Sequence, residues 1–447
     1  MVEEGVRVVG IMSLFKRWLG AAPQPAAPVA PAVPVPPRPL DAIPVVVRAE
    51  IIDQRHRLCG YRFHAVARQH GTPLAENAMM AALQEARVPE FAAQRLALIP
   101  LSLDAVTFGR HLPLLAPHTL FLLDRRHSEL PVEQLAGRMA ALRDSGAQLA
   151  LRGVSLAPEE APLLALCDMV LLYLNDHSLP AFQALIKQLR QRYPALKLCV
   201  DGLESWNEQR MCLSWGCDYF MGPFLTTRDE ADSSAKVDQS RMTSIELLNL
   251  LRTEAQLPAL LDVVKRDPGM TYQLLQWANA PANGLGTQVT SLQQAFLVLG
   301  RNQLYRALTV SMFRLGAGSH QERDESLLEV ALTRARFLET CSHLPAAQRD
   351  ELFLVGMLSL FDVLLGVPMA QLVGSMQLSP EVREVLLENR GPYGPYLMLA
   401  LLFERDKVER ALELAGRMGL DVDRLTQAGP AAFLWAQEAL HSTAAAN

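Results

Sequence analysis

Residues 45–67 read VVVRAEIIDQRHRLCGYRFHAVA, and this stretch decides the fold of the first half of the chain. It contains two apolar, β-branched runs, VVVRAEII at 45–52 and YRFHAVA at 61–67, which are typical of strands. The polar connection between them, which includes QRHRLC, is too short to hold a crossover helix. The two runs are therefore predicted to pair as antiparallel neighbours.

Six more strand-like runs follow, as far as Leu225, and helix-sized segments separate them. In separators such as 131–146 and 179–195, apolar residues recur at intervals of three and four, which is the period of a helix. Strands that alternate with helices predict an α/β barrel, here with eight strands of which one is reversed. The six runs are LALIPLSL, TLFLLD, LALRGVSL, MVLLYL, LKLCVDGL and DYFMGPFL.

The barrel ends at a polar segment without periodicity, TTRDEADSSAKVDQSR, which marks a domain boundary. Beyond it the patterns are helical, and residues such as Pro268 and Gly300 interrupt them. We therefore predict a barrel over 43–226, a linker over 227–241 and an all-α domain over 242–440.

Two segments precede the barrel. Residues 21–39 are almost entirely Pro, Ala and Val, a composition that favours polyproline II and indicates a tether. Residues 1–20 predict a short amphipathic N-terminus without the cleavage site of a secretion signal, and Met12 is an alternative start. Charges or prolines interrupt the longest apolar runs, so we expect no transmembrane segment and a cytoplasmic location.

Composition narrows the classes of partner. The formal net charge of -5 argues against an extended phosphate-binding surface, so no nucleic-acid partner is expected. The 6 cysteines are scattered, without a CxxC pair or a nearby histidine that would complete a zinc site. We expect reduced thiols, no resident cofactor and no metal.

The stretch LPALLDVVKRDPGMTYQLLQWANAPANGLGTQVTSLQQAFLVLGRNQLYRAL, residues 257–308, resembles the HDOD family. The resemblance rests on the LP before a helix, the DP break, WANAP, the TSL helix start and the LG turn. Asn279 is expected to end its helix, and Thr290 or Ser291 to cap the next one. The resemblance implies an HD-like helical domain that serves interaction or regulation. Residues 356–360, GMLSL, lack the His-Asp pair of the metal-dependent HD hydrolases.

The first half of the chain resembles the EAL family of cyclic-di-GMP phosphodiesterases. The matching pieces are GYRFHAVAR, VDGLES and CDYFMGPF. Together with the HDOD match, the chain is similar to an EAL-HDOD two-domain signalling protein. The resemblance implies a (β/α)8 barrel with one antiparallel strand, and a site for divalent metals at the carboxyl ends of its strands.

The metal-ligand positions that the resemblance implies are mostly substituted. Arg62 stands where the family has the glutamate of its EAL triplet, and Asp124 aligns ambiguously with a further glutamate. Asp201 and Glu204 match the two acids of the seventh strand. The other ligand positions hold residues that are not carboxylates or amides: Pro100, Arg152, Gly153, Leu171 and Tyr173. We therefore predict no catalytic residue and no metal site.

Arg62 and Arg152 invert the charge of this site, and two hypotheses follow. In the first, the arginines pair with Asp201 and Glu204 and neutralise acids that would otherwise lack a partner. In the second, the arginines replace the metals as clamps for phosphate groups, and the barrel binds a nucleotide.

We therefore predict a noncatalytic bacterial signal-transduction protein, not an enzyme, which acts through protein partners in the cytoplasm. Two alternatives remain open. One is a receptor that binds cyclic-di-GMP without hydrolysing it, and the other is a weak cyclic-di-GMP phosphodiesterase. An oligomer is compatible with the sequence.

Overall fold

The described residues form two compact units. One unit contains 44–227 and 401–430, and the other contains 228–400 and 431–441. Residues 401–430, which we assigned to the helical domain, thus group with the barrel. The computed structural model describes residues 44–67, 74–102, 109–128, 130–232, 239–280, 283, 288–313 and 320–441.

Several predictions concern other parts of the chain. The amphipathic N-terminus, the tether over 21–39 and the alternative start at Met12 lie outside the described residues, as do residues 233–238 of the predicted linker. These expectations stay predictions.

Eight strands form a closed barrel in sequence order. The first strand is antiparallel to both of its neighbours, and the other neighbouring strands are parallel. The predicted α/β barrel with one reversed strand is therefore confirmed. The strands are β1 Val45–Asp53, β2 Leu58–Val66, β3 Leu96–Pro100, β4 Thr119–Asp124, β5 Gln148–Arg152, β6 Met169–Tyr173, β7 Lys197–Asp201 and β8 Tyr219–Phe220.

Asp53 organises the tight turn that reverses the chain between β1 and β2. Its Oδ1 accepts hydrogen bonds from the backbone N–H groups of Arg55 at 2.8 Å and Arg57 at 3.0 Å. The Arg57 Nε donates to Oδ2 of the same carboxylate at 2.7 Å. A short aspartate-centred turn of this kind is what allows two strands to pair directly without a crossover helix.

The last strand is shorter than the apolar run that predicted it. Gly222 has φ 130, and Pro223 begins a 3-10 helix that extends to Thr226. A proline lacks the backbone N–H that a strand ladder needs, so the run leaves the sheet after β8.

Helices alternate with the strands of the barrel, as predicted. The last of them begins with a capping box, in which Ser205 and Glu208 each bond the backbone of the other. These helices are α1 Glu76–Glu85, α2 Val88–Ala92, α3 Val132–Asp144, α4 Ala161–Ala165, α5 Leu179–Arg192 and α6 Trp206–Ser214.

The barrel interior has an apolar layer below a polar one. The apolar layer belongs to one buried cluster that includes Leu98, Leu122, Ala150, Leu171 and Cys199. Side chains two positions apart on a strand point to the same side. The residues that follow these by two, at the carboxyl ends of the strands, therefore form the next layer: Pro100, Asp124, Arg152, Tyr173 and Asp201.

Beyond residue 238 the described residues form helices and no strand, as expected for an all-α domain. These helices are α7 Gln239–Arg252, α8 Leu257–Lys265, α9 Pro268–Ala278, α10 Leu292–Ser311, α11 Gln321–Cys341, α12 Ala346–Leu358, α13 Phe361–Leu365, α14 Met369–Ser375, α15 Pro380–Glu388, α16 Gly394–Glu404, α17 Val408–Arg417 and α18 Val422–His441.

The helix boundaries in this region follow the predicted signals. Asp267 caps α9 and accepts a hydrogen bond from the Met270 backbone at 3.0 Å. Asn279 ends that helix, and its side chain also bonds both backbone groups of Val289, at 2.7 Å each. Ser291 is the cap of α10. Asn279 therefore both ends a helix and fixes the connection to the next one.

The longest helix among the described residues, α11, is buried along most of its length. Its neighbour α12 approaches it closely at Gly356, where a Cβ atom would lie 2.4 Å from the Cα of Ala335. Charges within this interior are paired, and the Arg241 guanidinium lies 2.6 Å from the Asp324 carboxylate. Close packing therefore stabilises the unit, and the pairing of these buried charges avoids the cost of leaving either one without a partner.

Among the described residues, no single helix is long and apolar enough to cross a membrane. Two helical segments, Ala346–Leu365 and Met369–Ser375, together have the length and apolar composition of a membrane span, but the chain bends by 116° between them. The cytoplasmic location stays a prediction.

Candidate functional site

Arg62 lies at the centre of the polar layer at the barrel mouth. Its Nη1 donates to Asp201 Oδ2 at 2.5 Å and to the hydroxyl of Tyr173 at 2.8 Å. The Arg62 and Asp201 side chains are only 13% and 11% exposed, so this ion pair is largely removed from solvent. Burial alone would lower the pKa of Arg62, but the carboxylate of Asp201 and the oxygen of Tyr173 outweigh it and raise the pKa.

Asp201 is the last residue of β7, and both of its carboxylate oxygens have partners. Oδ2 accepts from Arg62, and Oδ1 accepts from the backbone N–H of Gly202 at 2.7 Å. Burial, together with the neighbouring charge of Asp201, raises the pKa of Tyr173 above its ordinary value. Tyr173 therefore stays a neutral hydroxyl between an arginine and an aspartate.

Arg152 ends β5 and lies over the ring of Tyr173, with 3.8 Å between its Cζ and the ring centroid. Its Nε is 3.7 Å from Asp124 Oδ2. Within the described residues that buried Nε has no hydrogen-bond partner. Arg152 is thus held in place by stacking while one of its donors remains unused.

Asp124, at the end of β4, is bound mainly by Arg126. It accepts from the Arg126 backbone at 3.0 Å and from its guanidinium at 3.0 Å and 3.1 Å. Burial acts to raise the pKa of Asp124, and these hydrogen bonds outweigh it, so the pKa lies below its ordinary value. Gly153, with φ 76, leaves the room for Arg126, since a Cβ there would lie 2.5 Å from the Arg126 Cγ.

Asp406 was not among the predicted site residues, yet it reaches the barrel mouth. It lies in the turn between α16 and α17 with φ 57. Its Oδ1 is 3.1 Å from His64 Nε2, and its Oδ2 is 3.9 Å from Arg62 Nη2. Burial would raise the pKa of Asp406, but His64 and Arg62 outweigh it and lower the pKa. No sequence motif links this turn to the barrel.

Three of the four predicted site residues meet at the barrel mouth, and the fourth, Glu204, does not. Arg62, Arg152 and Asp201 all contact Tyr173 or its partners at the mouth. Glu204 is exposed, and its backbone N–H bonds Glu208 at the start of α6. Of the pairs in the first hypothesis, the described residues contain Arg62 with Asp201, whereas Arg152 lies near Asp124 and Glu204 is exposed beyond the end of β7.

The described residues do not fit the metal site that the EAL resemblance implies. Pro100 has no side-chain ligand, Leu171 is 1% exposed in the apolar layer, and Arg62 binds the carboxylate of Asp201. No group of three or more His, Cys, Asp or Glu side chains within the described part of the chain could hold a metal ion. Oxygen ligands in larger number are what divalent metals require. The expected absence of a metal stays a prediction.

Comparisons with known proteins agree with this architecture. Residues 242–369 match the HDOD domain. The cyclic di-GMP phosphodiesterase CdgJ of Vibrio cholerae is 23% identical over 335 residues, which cover 74% of this chain and 76% of that protein. The protein YuxH of Bacillus subtilis is 26% identical over 222 residues, 49% of this chain and 54% of that protein.

Solved structures of EAL domains are similar to part of the chain. An EAL-domain protein of Listeria monocytogenes is 13% identical, with a TM-score of 0.32 over 41% of this chain and 87% of that one. YkuI of Bacillus subtilis, solved with c-di-GMP and calcium, is 13% identical, with a TM-score of 0.35 over 58% of this chain and 74% of that one.

The prediction that this chain is not an enzyme is contradicted. A relative that is similar along about three-quarters of both chains is named a cyclic di-GMP phosphodiesterase. Our prediction relied on single positions in a motif alignment, and such substitutions do not exclude catalysis by other groups. The closed barrel with its reversed first strand, followed by the HDOD match over 242–369, fits the EAL-HDOD architecture that the sequence resembles.

Proposed function

We propose that this protein is a regulatory protein of cyclic-di-GMP signalling, that its barrel mouth recognises the cyclic dinucleotide, and that it acts on protein partners. The EAL and HDOD similarities support a role in this signalling network. The two arginines of the mouth, Arg62 and Arg152, supply planar cations that suit phosphate groups.

Arg152 carries this proposal. Its guanidinium is fixed against Tyr173 at 3.8 Å, while its Nε has no hydrogen-bond partner among the described residues. A buried donor without a partner costs free energy, and an anionic ligand would supply the missing acceptor. The neighbouring Arg62 uses Nη1 for Asp201 and Tyr173, so its Nη2 is the group that faces a ligand.

Titration calorimetry of the intact protein tests this recognition. We expect cyclic-di-GMP to bind without magnesium, and Arg152→Gln to weaken binding by about tenfold or more, the value of one charge-assisted hydrogen bond. Arg192→Gln is the matched control, because Arg192 is exposed at the end of α5 and its guanidinium donates to the Leu156 carbonyl at 3.2 Å. No heat at the highest soluble ligand concentration would contradict the proposal.

A turnover assay on the same sample, with magnesium or manganese, separates recognition from hydrolysis. Product formation that disappears in Asp201→Ala would assign that carboxylate to hydrolysis. Product formation that persists in this variant would direct attention to other groups of the mouth. Loss of cyclic-di-GMP binding in a folded Arg152→Gln variant would support a phosphate-binding role for Arg152, whether or not the protein hydrolyses the ligand.

The proposed protein partners require a separate experiment with the intact chain. The HDOD resemblance implies an interaction module, and its helices lie in the unit that contains 242–369. We expect a purified partner to bind with an affinity that differs between ligand-free protein and protein saturated with cyclic-di-GMP. A partner with equal affinity for both states would contradict signalling through that contact.

A further inference from the structure

The turn between α16 and α17 places a carboxylate where the barrel mouth presents its cations. We propose that Asp406 is an internal occupant of this mouth, which takes the place of a ligand phosphate group and must leave before such a ligand binds. The proposal rests on the proposed function, since it concerns the regulation of that same site.

The first support is the chemistry of the contact. Asp406 lies 3.1 Å from His64 Nε2 and 3.9 Å from Arg62 Nη2. Carboxylate and phosphate oxygens accept hydrogen bonds from the same donors, and guanidinium groups suit both. Arg62 uses Nη1 for Asp201 and Tyr173, so Nη2 is the group that an incoming anion would share with Asp406.

The second support is how the turn is held. Val408, at the start of α17, is buried with Val45 and Val47 of β1 in a small apolar cluster, separate from the barrel interior. This cluster fixes the turn beside β2, the strand that carries both Arg62 and His64. Because this cluster buries little apolar area, it positions the carboxylate of Asp406 but stabilises the turn less than a domain core would.

The third support is the accessibility of the contact. The Asp406 side chain is 38% exposed, compared with 11% for Asp201. Ion pairs that solvent reaches are weak, whereas buried pairs are costly to break. An anion that enters the mouth is therefore expected to displace Asp406 and to leave the pair of Arg62 and Asp201 in place.

The backbone allows a clean test. Asp406 has φ 57, in the left-handed region that glycine and asparagine adopt readily. Asp406→Gly removes the carboxylate and keeps the turn, and Asp406→Asn keeps the shape but removes the charge. Glu413→Gln is the matched control, because it removes one negative charge from α17 at a side chain that is 67% exposed.

Calorimetry with cyclic-di-GMP and with inorganic pyrophosphate on the intact protein gives the measurement. We expect Asp406→Gly to bind both probes about tenfold more tightly than the wild type does. The affinity of Asp406→Asn is expected to lie between those of Asp406→Gly and the wild type, and the affinity of Glu413→Gln to equal that of the wild type. Hydrogen exchange in 401–417 is expected to rise when ligand is added to the wild type.

The outcomes distinguish this inference from the proposed function. Equal affinities in the wild type and both Asp406 variants would overturn the inference and leave recognition of cyclic-di-GMP intact. Tighter pyrophosphate binding in the variants, with no binding of cyclic-di-GMP by any form, would support the inference and overturn the proposed function. Failure of every form to bind either probe would overturn both.

Discussion

His64 Nε2 lies 3.1 Å from the carboxylate of Asp406, although 342 positions separate the two residues in the sequence. The contact joins the turn after α16 to strand β2, two residues beyond Arg62. Two distant stretches of the chain thus form one face of the barrel mouth. A substitution in either stretch is expected to change the position of the other.

The ion pair of Arg62 and Asp201 is expected to matter for stability. Arg62→Met would leave a largely buried carboxylate without its partner and lower the free energy of unfolding of the barrel by about 3–5 kcal/mol. The double variant Arg62→Met/Asp201→Leu is expected to recover most of this loss, because it removes both charges. Hydrogen exchange in β2 and β7 measures the free energy of opening locally.

Arg57→Met provides the control for this double-mutant cycle. Arg57 pairs with Asp53 at 2.7 Å, but its side chain is 55% exposed. Its loss is expected to change stability by no more than about 1 kcal/mol. A similarly small effect for Arg62→Met would mean that solvent reaches the pair of Arg62 and Asp201 more than the exposed fractions of these side chains indicate.

Gly153 is expected to be required for its backbone conformation. Alanine at φ 76 is strained, and its Cβ would lie 2.5 Å from the Arg126 Cγ. Gly153→Ala is therefore expected to destabilise the barrel by about 1 kcal/mol or more and to displace Arg126 from Asp124. Gly137→Ala, on α3 with no atom within 4 Å of its added Cβ, should instead stabilise by about 0.5–1 kcal/mol. Thermal unfolding compares the two, and equal shifts would contradict the prediction.

Gly356 is expected to be required for the contact between α11 and α12. A Cβ there would lie 2.4 Å from the backbone of Ala335, so Gly356→Ala should cost about 1–3 kcal/mol through overpacking. Gly374→Ala is the control, since its added Cβ meets no atom within 4 Å. Chemical denaturation of both variants tests this difference, and a neutral Gly356→Ala would show that the helices can separate at little cost.

Asp362, in the first turn of α13, is expected to make the stability of the helical unit depend on pH. Burial raises its pKa above the ordinary 3.8, although the charges of Arg228 and Arg334 act in the opposite direction. The folded state therefore holds this proton more tightly than the unfolded state does. Its contribution to stability is present below pH 3.8 and is lost as pH rises through the folded pKa.

Asp362→Asn removes this titration. We expect it to match the wild type in acid and to be more stable than the wild type at neutral pH, as measured by thermal unfolding over a pH series. Asp262→Asn, at an exposed position on α8, serves as the control. A variant that is less stable at neutral pH would mean that the charged Asp362 makes a favourable interaction with Arg228 or Arg334.

The fold could be predicted because its signals are local. The short connection after β1 excludes a crossover helix, and Asp53 builds the turn that the sequence predicted. Asp267, Asn279 and Ser291 end or begin helices through bonds to the backbone within a few residues or in the adjacent connection. Such interactions depend on neighbours in the sequence, and the sequence contains them in full.

The site could be predicted only in part. Arg62, Arg152 and Asp201 lie on strands, where alternation determines which residues share a face. Glu204 lies beyond the end of a strand, and alternation no longer predicts its direction. Asp406 reaches the mouth through the packing of α17 on β1, a contact between distant segments that no local pattern indicates.

The grouping of 401–430 with the barrel has a consequence for how the molecule can be divided. The helical residues 228–400 interrupt the barrel unit, the chain returns to the barrel unit over 401–430, and residues 431–441 belong to the helical unit again. A gene cut after residue 227 would yield a barrel that lacks its own later segment, including Asp406. Dissecting the protein into halves at this point would therefore remove Asp406 from the barrel mouth together with the helices.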